Sequence, residues 1–152
     1  MKNKSLLNES LETSKLHLKR AKFGYERMQK IILDSELFND ESKIETVDAF
    51  IFRFIKLQDF MGEKLFKHLL TRVGVYKDSM SLLDVLDKLE KMELVPSSDR
   101  WKDYREVRNQ LTHEYPENKE DVVNGIKKAM EYFPEIENIV VKMENYIKTL
   151  ER

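Results

Sequence analysis

Arg108, Asn109, His113 and Tyr115 fall within the eight residues "RNQLTHEY", and Pro116 follows at once. An arginine fork donates hydrogen bonds to phosphate or carboxylate and stays charged at any working pH. A histidine moves protons near neutrality. Tyr115 precedes a proline, which disfavours helical backbone there, so the helix carrying these residues should end near Glu114. His113 then lies in a last helical turn, where the dipole's negative end and the neighbouring Glu114 both favour imidazolium. The same placement suits a histidine that merely caps a helix, and the residues alone leave both readings open.

Helical geometry constrains how the group can act. Arg108 follows Tyr104 and precedes Leu111 at the spacing of a buried stripe that also takes in Trp101 and Tyr115. A buried arginine without a partner is costly. It must therefore face a cleft, an acidic partner or a second subunit. Asn109 and His113 share a neighbouring face. Arg108 and His113 point about 140° apart and are separated by about 7.5 Å along the axis. One rigid helix brings them together poorly. A two-fold dimer would set each copy's Arg108 near the other copy's His113.

The elements that must position this group are all helical. Leu7, Leu11, Leu18, Ala21, Tyr25, Met28 and Ile32 form one stripe over about residues 5–33, with Ser14 filling a gap. "DSELFNDES" is a turn. Ser42 and Glu45 have capping-box spacing for a second helix over about residues 42–73, which Gly74 should stop. Its stripe is Ile44, Val47, Ile51, Phe54, Met61 and Leu65, widened by Phe50, Ile55 and Leu69. A shorter helix over about 81–93 turns Leu82, Leu83, Leu86 and Leu89 inward. Ser97, Ser98 or Asp99 caps the motif helix. The last helix begins at Asn118, with Glu120 and Asp121 in its first turn. Val122, Ile126, Ala129, Phe133, Ile136, Val140, Met143, Ile147 and Leu150 keep one phase through Pro134, so the helix is either kinked or broken there. The expected fold is all-α: a single domain over 1–152, an antiparallel bundle of about five helices.

Composition narrows the function classes. The chain has 152 residues, 36% of them charged, with only 4 Gly and 3 Pro, a helical profile. Twenty-seven basic and 28 acidic residues give a net charge of −1, so any polyanion site must be local. There is no cysteine, which excludes disulfides, thiolate zinc sites and cysteine nucleophiles. The N-terminal stretch lacks a signal-peptide core and no apolar run is long enough to span a bilayer. The expected setting is soluble and cytoplasmic. His17 and His68 lack metal-ligand spacing, and neither a phosphate loop nor a nucleophile elbow is present, so no metal or cofactor is expected.

"RNQLTHEY" resembles the signature of the HEPN superfamily (higher eukaryotes and prokaryotes nucleotide-binding): Arg, four to six residues, then His, with a polar residue after the Arg. Arg108, Asn109 and His113 match it, and Tyr115 matches the extended "RNxxxHxY" form of the toxin branch called HepT. "DAFIFRFIKLQDFMGEKLF", residues 48–66, is similar to the long second helix of these proteins. The resemblance implies a homodimer whose two motif helices build one metal-independent RNA-cleaving cleft. Arg108 would hold the scissile phosphate, His113 would transfer the proton, and Asn109 would orient RNA or brace the motif. It also implies an MNT-type nucleotidyltransferase antitoxin as partner, adding AMP to Tyr115. The other class is a non-catalytic helical module of the same family that binds a nucleotidyltransferase or nucleotides. In a plain dimerisation domain, Arg108 would make a structural ion pair.

Two further features stand out. Lys15, Lys19 and Lys22 share a face of the first helix, with Arg20, Arg27 and Lys30 nearby. That face is either solvated or tracks an RNA backbone. Arg53, Gln58 and Asp59 interrupt an apolar region of the second helix, and Arg53 or Asp59 is placed to brace the motif.

Overall fold

A computed structural model describes residues 2–112 and 118–151. The helices are α1 (Lys2–Met28), α2 (Glu41–Phe60), α3 (Phe66–Arg72), α4 (Leu82–Lys91), α5 (Ser98–Thr112) and α6 (Lys119–Leu150). A 3-10 turn, Ser35–Asn39, joins α1 to α2, and a π-helical turn, Met61–Leu65, makes α2 and α3 one continuous rod. No strand occurs among the described residues, and the all-α helical bundle stands. No helix among them is long and apolar enough to cross a membrane. His113 and Tyr115 lie outside the described residues.

Local chemistry sets the boundaries. Gly74 has φ +82°, and a Schellman pair closes α3: Gly74 N donates to the Thr71 carbonyl and Val75 N to that of Leu70, both at 3.0 Å. Ser81 and Asp84 form the reciprocal capping box of α4. Asn118 caps α6 through Glu120 N at 3.1 Å. The start of α2 differs from the expected capping box at Ser42: Asp40 is the N-cap, accepting from Ser42 N at 2.9 Å and Lys43 N at 3.3 Å. A carboxylate two residues earlier starts the helix sooner and takes the orphan amides of its first turn.

The core is a single cluster in which the stripes meet. Leu7, Leu11, Ala21 and Met28 of α1 pack with Phe50, Phe54 and Leu57 of α2, Trp101 and Tyr104 of α5, and Ile126, Phe133, Ile136 and Met143 of α6. Gly24 allows α1 and α2 to approach closely, since a Cβ there would lie 3.2 Å from Phe50 Cα. Two expected core residues are exposed. Ile32 lies beyond the end of α1 and is 73% exposed; Leu83 on α4 is 44% exposed, and Val85 takes the inward position. Conversely, Leu37 is buried from within the connecting turn. Pro134 does not break the last helix: α6 runs through it. Phe133 and Ile136 on either side are fully buried, and their packing offsets the one backbone bond that proline cannot donate.

Polar links pin α1 to the rest. Lys15 bonds Glu144 at 2.6 Å and Lys22 bonds Glu137 at 2.9 Å, both on α6. The Ser10 hydroxyl meets His68 Nδ1. His17 packs against Phe60 with ring centroids 5.5 Å apart. Burial, then nearby cations, hold both histidines below their ordinary 6.5. The unfolded chain therefore binds more protons just below that value, so stability is full above it and falls as pH drops. Glu135 and Glu144 are held low by Arg100 and Lys15, which adds a second loss below the ordinary 4.5. We expect the melting temperature to fall in two stages between about pH 7 and pH 3. Replacing His17 and His68 by Gln should flatten only the upper stage, as calorimetry across that range would show.

Candidate functional site

Two adjacent residues of α2 hold two successive turns of α5. Gln58, fully buried, donates from Nε2 to the Tyr104 carbonyl at 3.0 Å. Asp59 accepts from Arg108 twice, Oδ1 from Nε at 3.0 Å and Oδ2 from Nη2 at 2.7 Å. This is a side-on, bidentate carboxylate–guanidinium pair. Arg108 Nη1 donates to Asn109 Oδ1 at 3.2 Å. The pair sits just before the π-helical turn, where Phe66 N reaches back to the Met61 carbonyl. On α5, Trp101, Tyr104 and Val107 are buried. Arg108 lies at the edge of that stripe rather than in it, its side chain 26% exposed against 27% for Asp59.

This geometry answers the burial problem posed by the sequence within one chain. Arg108 needs neither a second copy nor a foreign partner for charge balance, because Asp59 supplies it; hydrogen bonding to Asp59 accordingly raises its already high pKa. A guanidinium carries five N–H donors. Among the described residues three are engaged, with Asp59 and Asn109, and two, one on Nη1 and one on Nη2, are not. An arginine gripped along one edge, with two N–H groups unengaged among the described residues, is pre-oriented for a further acceptor such as a phosphate.

Asn109 is exposed. It borders a groove of about 570 Å³ between α4 and α5, with Leu82, Leu83 and Leu86 on one side and Lys102, Arg105 and Gln110 on the other. Its side-chain oxygen accepts from Arg108. Of the two α2 residues placed to brace the motif, Asp59 does so. Arg53 instead lines a separate groove with α1. No group of three or more metal-binding side chains occurs among the described residues.

A second ionic cluster joins α5 to α6. Glu135 accepts from Arg100 at 2.7 and 2.8 Å and from the Tyr104 hydroxyl at 2.8 Å. Arg100 lies 4.6 Å from the centre of the Tyr132 ring. Burial, reinforced by the hydrogen bond to Glu135, pushes the Tyr104 hydroxyl pKa up. The cluster fixes the other end of α5, so the motif helix is held at both ends. Sequence periodicity did not single out Glu135. Its signal was an acid on the helix facing Arg100, visible only once α5 and α6 are paired.

Neither protein-family models, curated proteins nor solved structures yield a match to this chain.

Proposed function

We propose that the chain is a HEPN-type, metal-independent endoribonuclease, the toxin of a toxin–antitoxin pair, acting as a homodimer. The observation that carries this reading is the Arg108 fork, fixed side-on by Asp59 and bonded to Asn109, with two N–H groups unengaged among the described residues. Support also comes from the match of Arg108, Asn109, His113 and Tyr115 to the HEPN signature, and from the motif's position at the end of a late helix in an all-α bundle. In this mechanism Arg108 binds the scissile phosphate and stabilises its added transition-state charge. His113 takes the proton of the ribose 2′-hydroxyl or gives one to the leaving 5′-oxygen. DNA, lacking that hydroxyl, is not cut.

An MNT-type nucleotidyltransferase is the proposed antitoxin. AMP on Tyr115 would place a phosphate beside Arg108 and occupy the substrate's position. Purified protein should degrade RNA in the presence of EDTA, and His113→Ala should lose that activity. Equal degradation by both proteins would assign the activity to a contaminant. In the same preparation, co-expression with such a transferase should add AMP mass on Tyr115.

One observation favours a second reading. The Arg108–Asp59 pair closes within a single chain, as a structural ion pair would, and suits a non-catalytic HEPN module that binds a nucleotidyltransferase. Wild-type protein with no RNA cleavage above the His113→Ala level would select it.

A further inference from the structure

Helix α1 carries two basic faces with different fates. Lys15 and Lys22 are tied to α6 carboxylates. Lys19, Arg20 and Arg27 turn instead toward α2, where with Arg53 they line a groove of about 430 Å³. Its other lining residues are Leu16, Phe23, Gly24, Thr46 and Ala49, so four cations border it and no carboxylate does. None of the four enters an ion pair among the described residues. In a chain of net charge −1, this is a concentrated local positive potential. His17, against α2, feels it: after burial, the charges of Lys56, Arg53 and Arg20 lower its pKa.

Exposed aromatic rings flank these cations. Phe23 is 68% and Phe52 is 52% exposed, large apolar surfaces with no structural use in the bundle. Each has a cation beside it. Arg27 lies 5.9 Å from the centre of the Phe23 ring; Arg53 and Lys56 lie 5.2 and 5.5 Å from that of Phe52. Between Leu16 and Arg27 the groove follows about 16 Å of helix axis.

From this arrangement we propose that the α1–α2 groove binds a short run of single-stranded nucleic acid, its bases stacking on Phe23 and Phe52 and its phosphates held by Lys19, Arg20, Arg27 and Arg53. Guanidinium forks match phosphate oxygens well, and three of the four cations are arginines. Base faces need exposed rings, and a duplex would hide those faces in its own stack. An acidic protein helix would use the charge but would leave the paired ring–cation units without a purpose. The groove is distinct from the motif: Arg53 and Asp59 lie about 9 Å apart along α2 and on different faces. The proposal stands on the groove's own chemistry and does not require that the protein cleave RNA.

The test is fluorescence anisotropy of labelled (U)12 and (dT)12 at low salt, in a His113→Ala background so that the RNA probe survives. Both probes should bind, since no residue of the groove singles out the 2′-hydroxyl. Arg20→Glu with Arg53→Glu should weaken binding by about tenfold or more. Phe23→Ala with Phe52→Ala, neutral and at exposed positions, should weaken it by about fivefold or more. Lys88→Glu with Lys91→Glu on α4 matches the charge change away from the groove and should stay within about twofold. Circular dichroism melts keep folding losses apart from binding losses. Equal weakening by the α4 pair, or no effect of the Arg pair, would overturn the proposal. So would an inert Phe pair with poly-glutamate displacing (U)12 as well as unlabelled (U)12 does, which would assign the groove to an acidic protein. Because binding is read without cleavage, failure here leaves the ribonuclease reading standing, and failure of cleavage leaves this one.

Discussion

Trp101→Ala should cost about 3–5 kcal/mol of folding free energy, or roughly 6–20 °C in melting temperature for a domain of this size. Trp101 is fully buried. Its ring meets Phe66 edge-on at 4.8 Å and Tyr104 at 5.6 Å, so it joins the continuous rod of α2 and α3 to the motif helix. Truncation removes both aromatic contacts and leaves a cavity between elements pinned on either side. Trp101→Phe should behave differently. The indole Nε1 is buried without a hydrogen-bond partner among the described residues, and an unpaired buried donor is itself destabilising. Phenylalanine keeps an aromatic ring and deletes that donor, so its cost should stay under about 2 kcal/mol. Urea denaturation with unchanged m-values would read both numbers. Equal losses would show that the indole nitrogen contributes a bond of its own.

What could be read from the sequence follows the range of the forces involved. Signals contained within a few residues were legible: the Asn118 cap and the Gly74 stop both depend on local backbone amides and carbonyls. Stripe periodicity located most of the core for the same reason. Where local signals competed, the sequence misled. Asp40 and Ser42 are both good caps, and only the path of the chain chose Asp40. Pro134 is a helix breaker by local rule, overridden by buried Phe133 and Ile136. The π-helical turn at Met61–Leu65 has no periodic signature at all. For the candidate site, Arg108 and Asn109 were evident from type and spacing. Asp59 was visible only as a polar interruption, because a separation of 49 positions from Arg108 leaves no periodic trace. Lys15, Lys19 and Lys22 read as one basic face, yet Lys15 and Lys22 serve α6 while Lys19 serves the groove. Only the packing of α6 against α1 divides them.

Stability and activity should separate in a double-mutant cycle on Asp59 and Arg108. The pair is about a quarter exposed, so solvent screens it, and each single alanine should cost about 1–2 kcal/mol rather than the larger loss of a sealed pair. The double alanine should cost less than the sum, because no charge is left unpaired. That result is common to both functional readings. Activity is not. If Arg108 grips phosphate through the two N–H groups unengaged among the described residues, Arg108→Ala should lower RNA cleavage by about 10²–10³-fold. Arg108→Lys should not restore it, since an ammonium cannot be held side-on while presenting a fork. Asp59→Asn keeps the volume and one acceptor but loosens the guanidinium, and should lower kcat by about tenfold or more with a smaller effect on KM. Once Arg108 is alanine, adding Asp59→Ala should lower cleavage no further, because Asp59 acts only through the arginine. Two separate activity losses that multiply would mean that Asp59 meets the substrate itself. Stability coupling with no Arg108-dependent cleavage would mean that the ion pair is what the arginine is for.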